Sequence, residues 1–370
     1  MFYYLYMDLY NRPWKLVANK IRAPGGQEID TFRGIFPALD TPDGSEAWVG
    51  SVTRVAFPPP GKPNWGCSEV ELPDGRTMYL FEAIALDPEK VLGQRHVSIH
   101  GANLGMLVKL LDAKEPYLLQ CHPTREAAKK MWNSDFGKEE AWYIIGTRDN
   151  TPEPVSILLG FKEGITREKF EALYRAEDIT GLENLCHTIP VQAGDAFFVG
   201  GGLIHALGRG CFALELQEPA DITAVPLSNA KRAKRQKREI LEDDDTYDRK
   251  TLGSFIYEGC GYEENLRRWK IPHKTIREGA WGKEYIIIGP EQTTYFSFSR
   301  LDVTGSVEVP GIGFPRVAVV LEGSGKFVFD NDALELRKGD EIFLPWNIPG
   351  LYLEGDISVV FCNPEGFKYE

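Results

Sequence analysis

The chain has 370 residues, 43% of them hydrophobic and 26% charged, which suits two or three soluble domains and excludes wholesale disorder. Its 54 acidic and 42 basic side chains leave a formal charge of −12. That balance argues against a nucleic-acid binder, while a small anionic ligand needs only one local basic pocket. No apolar run approaches the roughly 18–20 residues that cross a bilayer. The aromatic start MFYYLYMDLYNRPW has no basic flank and is interrupted by Asp8, so it is expected to be neither a signal peptide nor an anchor. Six cysteines (Cys67, Cys121, Cys186, Cys211, Cys260 and Cys362) lie far apart with no CxxC pair, the pattern of reduced thiols in a cytoplasmic protein.

Thirty-seven glycines and 24 prolines cut the chain into short apolar stretches, which predicts a mainly β fold. In chain order, strands are expected at Met78–Leu86, Tyr117–Cys121, Trp142–Gly146, Ser156–Phe161, Ala196–Val199 and Phe212–Leu216. Further strands are expected at Glu284–Ile288, Tyr295–Ser299, Arg316–Leu321, Gly325–Phe329, Glu341–Leu344 and Ser358–Phe361. Helical spacing marks Leu104–Leu111. Thr124–Trp132 and Thr166–Ala176 each open on a threonine N-cap. Lys231, Arg232, Lys234, Arg235, Lys237 and Arg238 precede Glu239, Glu242, Asp243, Asp244 and Asp245. This run reads as a solvated, partly helical connector, or alternatively as a lid that attracts phosphate.

A repeat organises the rest. Gly194-Asp195-Ala196-Phe197-Phe198-Val199 runs on through Gly200 to His205, and Gly339-Asp340-Glu341-Ile342-Phe343-Leu344 runs on through Pro345 to Gly350 with the same pattern. Both resemble the second motif of cupins, whose metal-ligand position falls on His205 in one copy and on Gly350 in the other. No histidine follows His273. The resemblance implies two cupin (jelly-roll) barrels. A metal-binding catalytic one is expected over 1–265, enlarged by helices around 101–135 and 166–185. A metal-free one is expected over 276–370.

Partners for His205 are close at hand. In Gln120-Cys121-His122-Pro123, strand alternation turns Gln120 and His122 to one face and Cys121 to the other. Glu140 enters another strand after the turn at Gly137-Lys138-Glu139. Two imidazoles, a carboxylate and an amide oxygen form a mixed nitrogen and oxygen set suited to Zn2+ or another divalent first-row ion, with no thiolate required. His96, His100, His187 and His273 read as structural or solvated, and Trp48 and Trp142 as packing residues.

These segments resemble class I mannose-6-phosphate isomerases. The strongest pieces are Gln120-Cys121-His122-Pro123, after Lys109-Leu110-Leu111-Asp112-Ala113, and Gly137-Lys138-Glu139-Glu140-Ala141-Trp142-Tyr143. Glu46-Ala47-Trp48-Val49-Gly50-Ser51, Gly202-Leu203-Ile204-His205-Ala206 and Glu215-Leu216-Gln217-Glu218 add weaker matches. The resemblance implies a metal-dependent aldose–ketose isomerase acting on mannose 6-phosphate and fructose 6-phosphate. It places one zinc ion per chain on Gln120, His122, Glu140 and His205, a pocket lysine at Lys138 and pocket carboxylates at Glu215 and Asp221. Lys138 and Glu215 are then the catalytic candidates. From its own position, Lys138 also reads as a surface partner of Glu139, and Glu215 as a residue that only orders the ligands.

One position departs from the family pattern. Val225 stands where an arginine is common, and valine cannot hold a phosphate. Substrate binding is therefore expected from Lys138 and Asp221 together with Lys231 and Arg232 of the basic connector. Two other functions stay open: a sugar-binding or regulatory protein on a decayed isomerase scaffold, and an isomerase of an unphosphorylated sugar. The expected partner is a small sugar or sugar phosphate, with neither nucleic acid nor membrane.

Overall fold

A computed structural model of the chain describes residues 10–72, 74–149, 151–235, 239–330 and 332–364. Residues 1–9 of the aromatic N-terminus and Lys237 and Arg238 of the basic run lie outside the described residues.

The fold is mainly β, in stacked antiparallel layers. The central layer is a five-stranded sheet of Glu46–Val49, Leu107–Asp112, Cys211–Gln217, Glu140–Thr147 and Ala196–Val199, in that spatial order. In Cys211–Gln217 every residue is buried, because both faces are covered. Leu111, Ala213, Ile144 and Phe197 of one face pack against Leu159 and Ile189 of a three-stranded sheet, His205–Leu207, Ser156–Phe161 and Cys186–Pro190. Val49, Val108 and Leu214 of the other face pack against Phe298, Val317 and Val360 of an eight-stranded C-terminal sheet. Three long strands of that sheet, Phe296–Glu308, Arg316–Phe329 and Tyr352–Pro364, enclose a second core of Leu301, Val320, Phe327 and Val359. The short strand Trp14–Lys15 pairs with Glu341–Leu344, so the first described strand belongs to the C-terminal sheet. Arg33 and Glu341 form a buried ion pair across the same junction.

The Gly-Asp repeat has a physical basis. Gly194 and Gly339 take φ of 91° and 87°, a left-handed turn that favours glycine. Asp195 Oδ2 accepts the Gln192 N–H at 3.2 Å and Asp340 Oδ2 accepts the Arg337 N–H at 2.9 Å. Each turn then feeds a four-residue buried strand, Ala196–Val199 or Glu341–Leu344.

Several expected elements change. Leu104–Leu111 is no helix; the strand Leu107–Asp112 occupies its second half, buried on both faces, where apolar residues on both faces leave no usable period. Met78–Leu86 is a short strand, Thr77–Tyr79, followed by a helix, Leu80–Leu86, where the Glu82 carboxylate accepts the Tyr79 N–H at 3.3 Å. Tyr117–Cys121 makes only isolated bridges at Gln120 and Cys121. Arg316–Leu321 and Gly325–Phe329 are one strand. The threonine-capped helices form at Arg125–Trp132 and Arg167–Arg175. Thr166 accepts the Lys169 N–H at 3.3 Å, so Thr166→Ala should cost about 1 kcal/mol in denaturant melts and leave the cleft unaffected.

Candidate metal centre and cleft

The centre forms where backbone pairing gathers distant segments. Gln120 and His205 exchange two main-chain hydrogen bonds, of 3.0 and 2.8 Å, which puts His122 two residues beyond that bridge. Glu140 opens the strand Glu140–Thr147 of the central sheet. Across that sheet the register lines up Trp48, Lys109, Glu215 and Trp142 in one row on the cleft face.

One ligand atom from each of His122, Glu140 and His205 lies within 4.8 Å of the others, and all three residues are buried. His122 Nδ1 lies 2.8 Å from the Ile222 carbonyl and His205 Nδ1 2.8 Å from the Leu203 carbonyl. A carbonyl only accepts, so each Nδ1 carries the proton and each Nε2 keeps its lone pair. Burial, then the neighbouring His122, pushes His205 down to about 3, so its imidazole is neutral at any working pH. Burial outweighs the Glu140 carboxylate and lowers His122 too. Burial alone would raise Glu140, but His122 and Lys138 hold its carboxyl well below the usual range. Its Oε2 is buried without a hydrogen-bond partner, 3.6 Å from His205 Nε2. Gln120 brings its side-chain amide to 3.4 Å from the same Nε2. Two neutral imidazoles and an ionised carboxylate with an unused oxygen, all buried, fit a divalent metal ion.

This group opens on a polar cleft of about 430 Å³. Lys138 lies 2.8 Å from His122 Nε2 and is ion-paired with Glu140. It is only 3% exposed, so it points at the centre and is no surface partner of Glu139. Burial lowers its ammonium pKa. Glu215 pairs with Lys109 at 2.8 Å and accepts the Trp142 indole N–H at 3.1 Å. Burial, then Glu140, raises its carboxyl. Asp221 accepts from Arg22 at 2.5 Å and from the Ala56 N–H at 2.9 Å. Burial would raise Asp221, but Arg22 and Lys109 lower it.

The cleft thus brings together Gln120, Lys138, Glu140, Glu215 and Asp221, and His122 and His205 adjoin it through Glu140. Among the described residues, none of the basic connector lines it. Lys231, on the helix Asn229–Arg235, is half exposed and ion-paired with Glu177. Arg232 turns to the Thr223 carbonyl at 2.6 Å and so reaches only the back of a cleft residue. Val225 is buried. Among the described residues, the cations lining the cleft are Arg22, Lys109 and Lys138, each within 4 Å of a carboxylate. Arg22, Glu46 and Lys109 had no assigned role in the sequence. A lone lysine inside the apolar run Leu107–Asp112 was the available signal for Lys109. Arg22 sits in a loop at φ 74° and gave none.

The remaining histidines serve local structure. His96 bonds the Asn103 carbonyl, His187 bonds the Cys260 carbonyl, and His273 stacks on Tyr285. His100 packs against His96. All six cysteines are free and buried. Among the described residues no helix is long and apolar enough to cross a membrane.

Known proteins align with this arrangement. Residues 287–364 match the family described as the cupin domain of mannose-6-phosphate isomerase. The mannose-6-phosphate isomerase of Streptococcus mutans is 27% identical over 259 residues, 69% of this chain and 72% of that one. The crystal structure of the mannose 6-phosphate isomerase from Bacillus subtilis superposes with a TM-score of 0.71 at 22% identity, covering 95% of this chain and 99% of that one. A mannose 6-phosphate isomerase structure bound with zinc and yttrium gives 0.67 at 16% identity, with the same coverage. The layered β fold, the cupin segment and the relatives agree in likening the chain to mannose-6-phosphate isomerases.

Proposed function

We propose that the protein interconverts mannose 6-phosphate and fructose 6-phosphate, using one zinc ion per chain held by His122, Glu140 and His205, with Gln120 as a weaker fourth ligand. The observation that carries this reading is the buried His–Glu–His group opening on a cleft that holds Lys138 and Glu215. Bound there, the ion supplies Lewis-acid stabilisation of the negative charge that develops on the C1 and C2 oxygens.

The chain's own residues move the protons. Glu215, held by Lys109 and Trp142 with its carboxyl raised, takes the C2 proton and returns it to C1. Lys138 gives a proton to O1 and recovers one from O2, so the two transfers balance. Asp221, fixed by Arg22 and the Ala56 amide, accepts from sugar hydroxyls. Phosphate contact falls to Arg22, which keeps N–H donors beyond its bond to Asp221, while Arg232, bonded to the Thr223 carbonyl, stays outside the cleft. Lys231, tied to Glu177 at the surface, drops out of that role. We read 1–265 as the catalytic unit and 276–370 as a metal-free unit, in a cytoplasmic protein whose thiols stay reduced.

The test is to incubate purified protein with mannose 6-phosphate in D2O and follow both deuterium entry and fructose 6-phosphate formation. Both should stop on chelation and return with added zinc. No exchange in zinc-replete protein overturns the isomerase and leaves a binding protein. Exchange confined to unphosphorylated sugars keeps the reaction and changes the substrate.

A further inference from the structure

The turn Gly137-Lys138-Glu139-Glu140 carries two residues of the centre, and much of what holds it comes from outside the cleft. Glu218 follows the strand Cys211–Gln217 and has no exposed surface. Its Oε2 accepts the Glu139 N–H at 3.1 Å, and its own N–H donates to the Glu139 carbonyl at 3.1 Å. The residue between Lys138 and Glu140 is thereby gripped in both directions. The Gly137 N–H bonds the same carboxylate. Gly137 also abuts the backbone of 123–125 so closely that an added Cβ would lie 2.7 Å from Arg125 N.

The far side of Glu218 leads to the C-terminal sheet. Its Oε1 accepts from Arg125 Nε, and the Arg125 guanidinium lies 3.5 Å from the centre of the Tyr295 ring. Tyr295 directly precedes the strand Phe296–Glu308. Thr293, two residues earlier and buried, hydrogen-bonds the Glu139 carboxylate. The segment 293–295 therefore reaches the turn twice, at the Glu139 side chain and, through Arg125 and Glu218, at its backbone.

We propose that Glu218, Arg125, Thr293 and Tyr295 form a clamp that positions Lys138 and Glu140, through which the histidine-free C-terminal sheet acts on the metal centre without contributing a ligand. Charge-assisted bonds from a buried carboxylate to main-chain N–H groups fix a backbone more firmly than neutral ones. A guanidinium held over an aromatic ring is restrained in turn. These are positioning residues, since none touches the ligand atoms. The metal arm of the test rests on the function proposed above, and the other arm does not.

The test uses the full chain with Tyr295→Leu, Tyr295→Phe and Glu218→Gln, and with Val360→Ala as a control in the core between the sheets. Amide exchange at 137–140 is read in metal-free protein, and zinc affinity by competition with a chromophoric chelator. Tyr295→Leu and Glu218→Gln should each speed exchange at 137–140 about tenfold or more and weaken zinc by about 10–100-fold. Tyr295→Phe, which keeps the ring, should restore both. Val360→Ala should lower the melting temperature and change neither. Unaltered exchange at 137–140 in Tyr295→Leu and Glu218→Gln overturns the clamp, as does an equal change in Val360→Ala. If wild-type protein takes up no zinc, the metal reading falls, and the exchange arm still decides the clamp.

Discussion

Replacing His122 and His205 together with alanine is expected to strip the bound metal and lower isomerase turnover by about a thousandfold, with the chain still folded. The factor corresponds to about 4 kcal/mol of lost stabilisation of the oxygen charge in the transition state. Only Glu140 and Gln120 would remain at the site, too few donors for a structured zinc centre. The fold should survive because Glu140 keeps its ion pair with Lys138, so no buried carboxylate is stranded. The imidazole bonds to Ile222 and Leu203 carbonyls would be lost, which predicts a lowered but cooperative melt. Elemental analysis, melting curves and the D2O assay check the three parts. Full metal occupancy in the double variant would show that the ligands lie elsewhere.

The clustering of His122, Glu140 and His205 was legible because each sits at a turn or strand end with local punctuation. Pro123 follows His122, Gly137 opens the turn into Glu140, and the glycines at 200–202 lead into His205. The repeat was legible for a similar reason: a left-handed glycine and an aspartate that bonds backward leave a fixed mark in sequence. What failed was inference from periodicity where both faces of an element are buried, as in Leu107–Asp112. Inference from proximity along the chain failed too. The basic connector is close to His205 in sequence, yet Lys231 finds Glu177 on the surface. Arg22 enters the cleft through long-range pairing of Ile21 with Glu46. Nothing local announces such pairing.

Lys109→Met is expected to destabilise the protein by about 3–5 kcal/mol at neutral pH, the usual cost of leaving one partner of a buried ion pair alone. Lys109 is 5% exposed, bonded to Glu215 at 2.8 Å, 4.0 Å from Glu46 and over the Trp48 ring. Methionine fills the space and removes the charge, stranding Glu215 near Glu140. The pH dependence follows from the Glu215 carboxyl. Burial and then Glu140 already raise it, and Lys109 pulls it back, so without Lys109 it climbs further. A carboxyl raised in the folded state contributes stability below its unfolded pKa and loses it as pH rises through the folded one. The deficit of Lys109→Met should therefore be largest at neutral and alkaline pH and shrink as acidification approaches the ordinary carboxylate range. Denaturant melts of chelated wild-type and variant protein at several pH values measure this. Adding Glu215→Gln to Lys109→Met should recover much of the loss, because a neutral amide needs no counter-charge. With Glu215 as the base proposed above, the single variant loaded with zinc should lose turnover by about a hundredfold, as expected when a base is displaced by about 1 Å. A deficit that stays constant or grows on acidification, or a double variant less stable than the single one, would show that Lys109 is held for packing over Trp48 and not for the charge of Glu215.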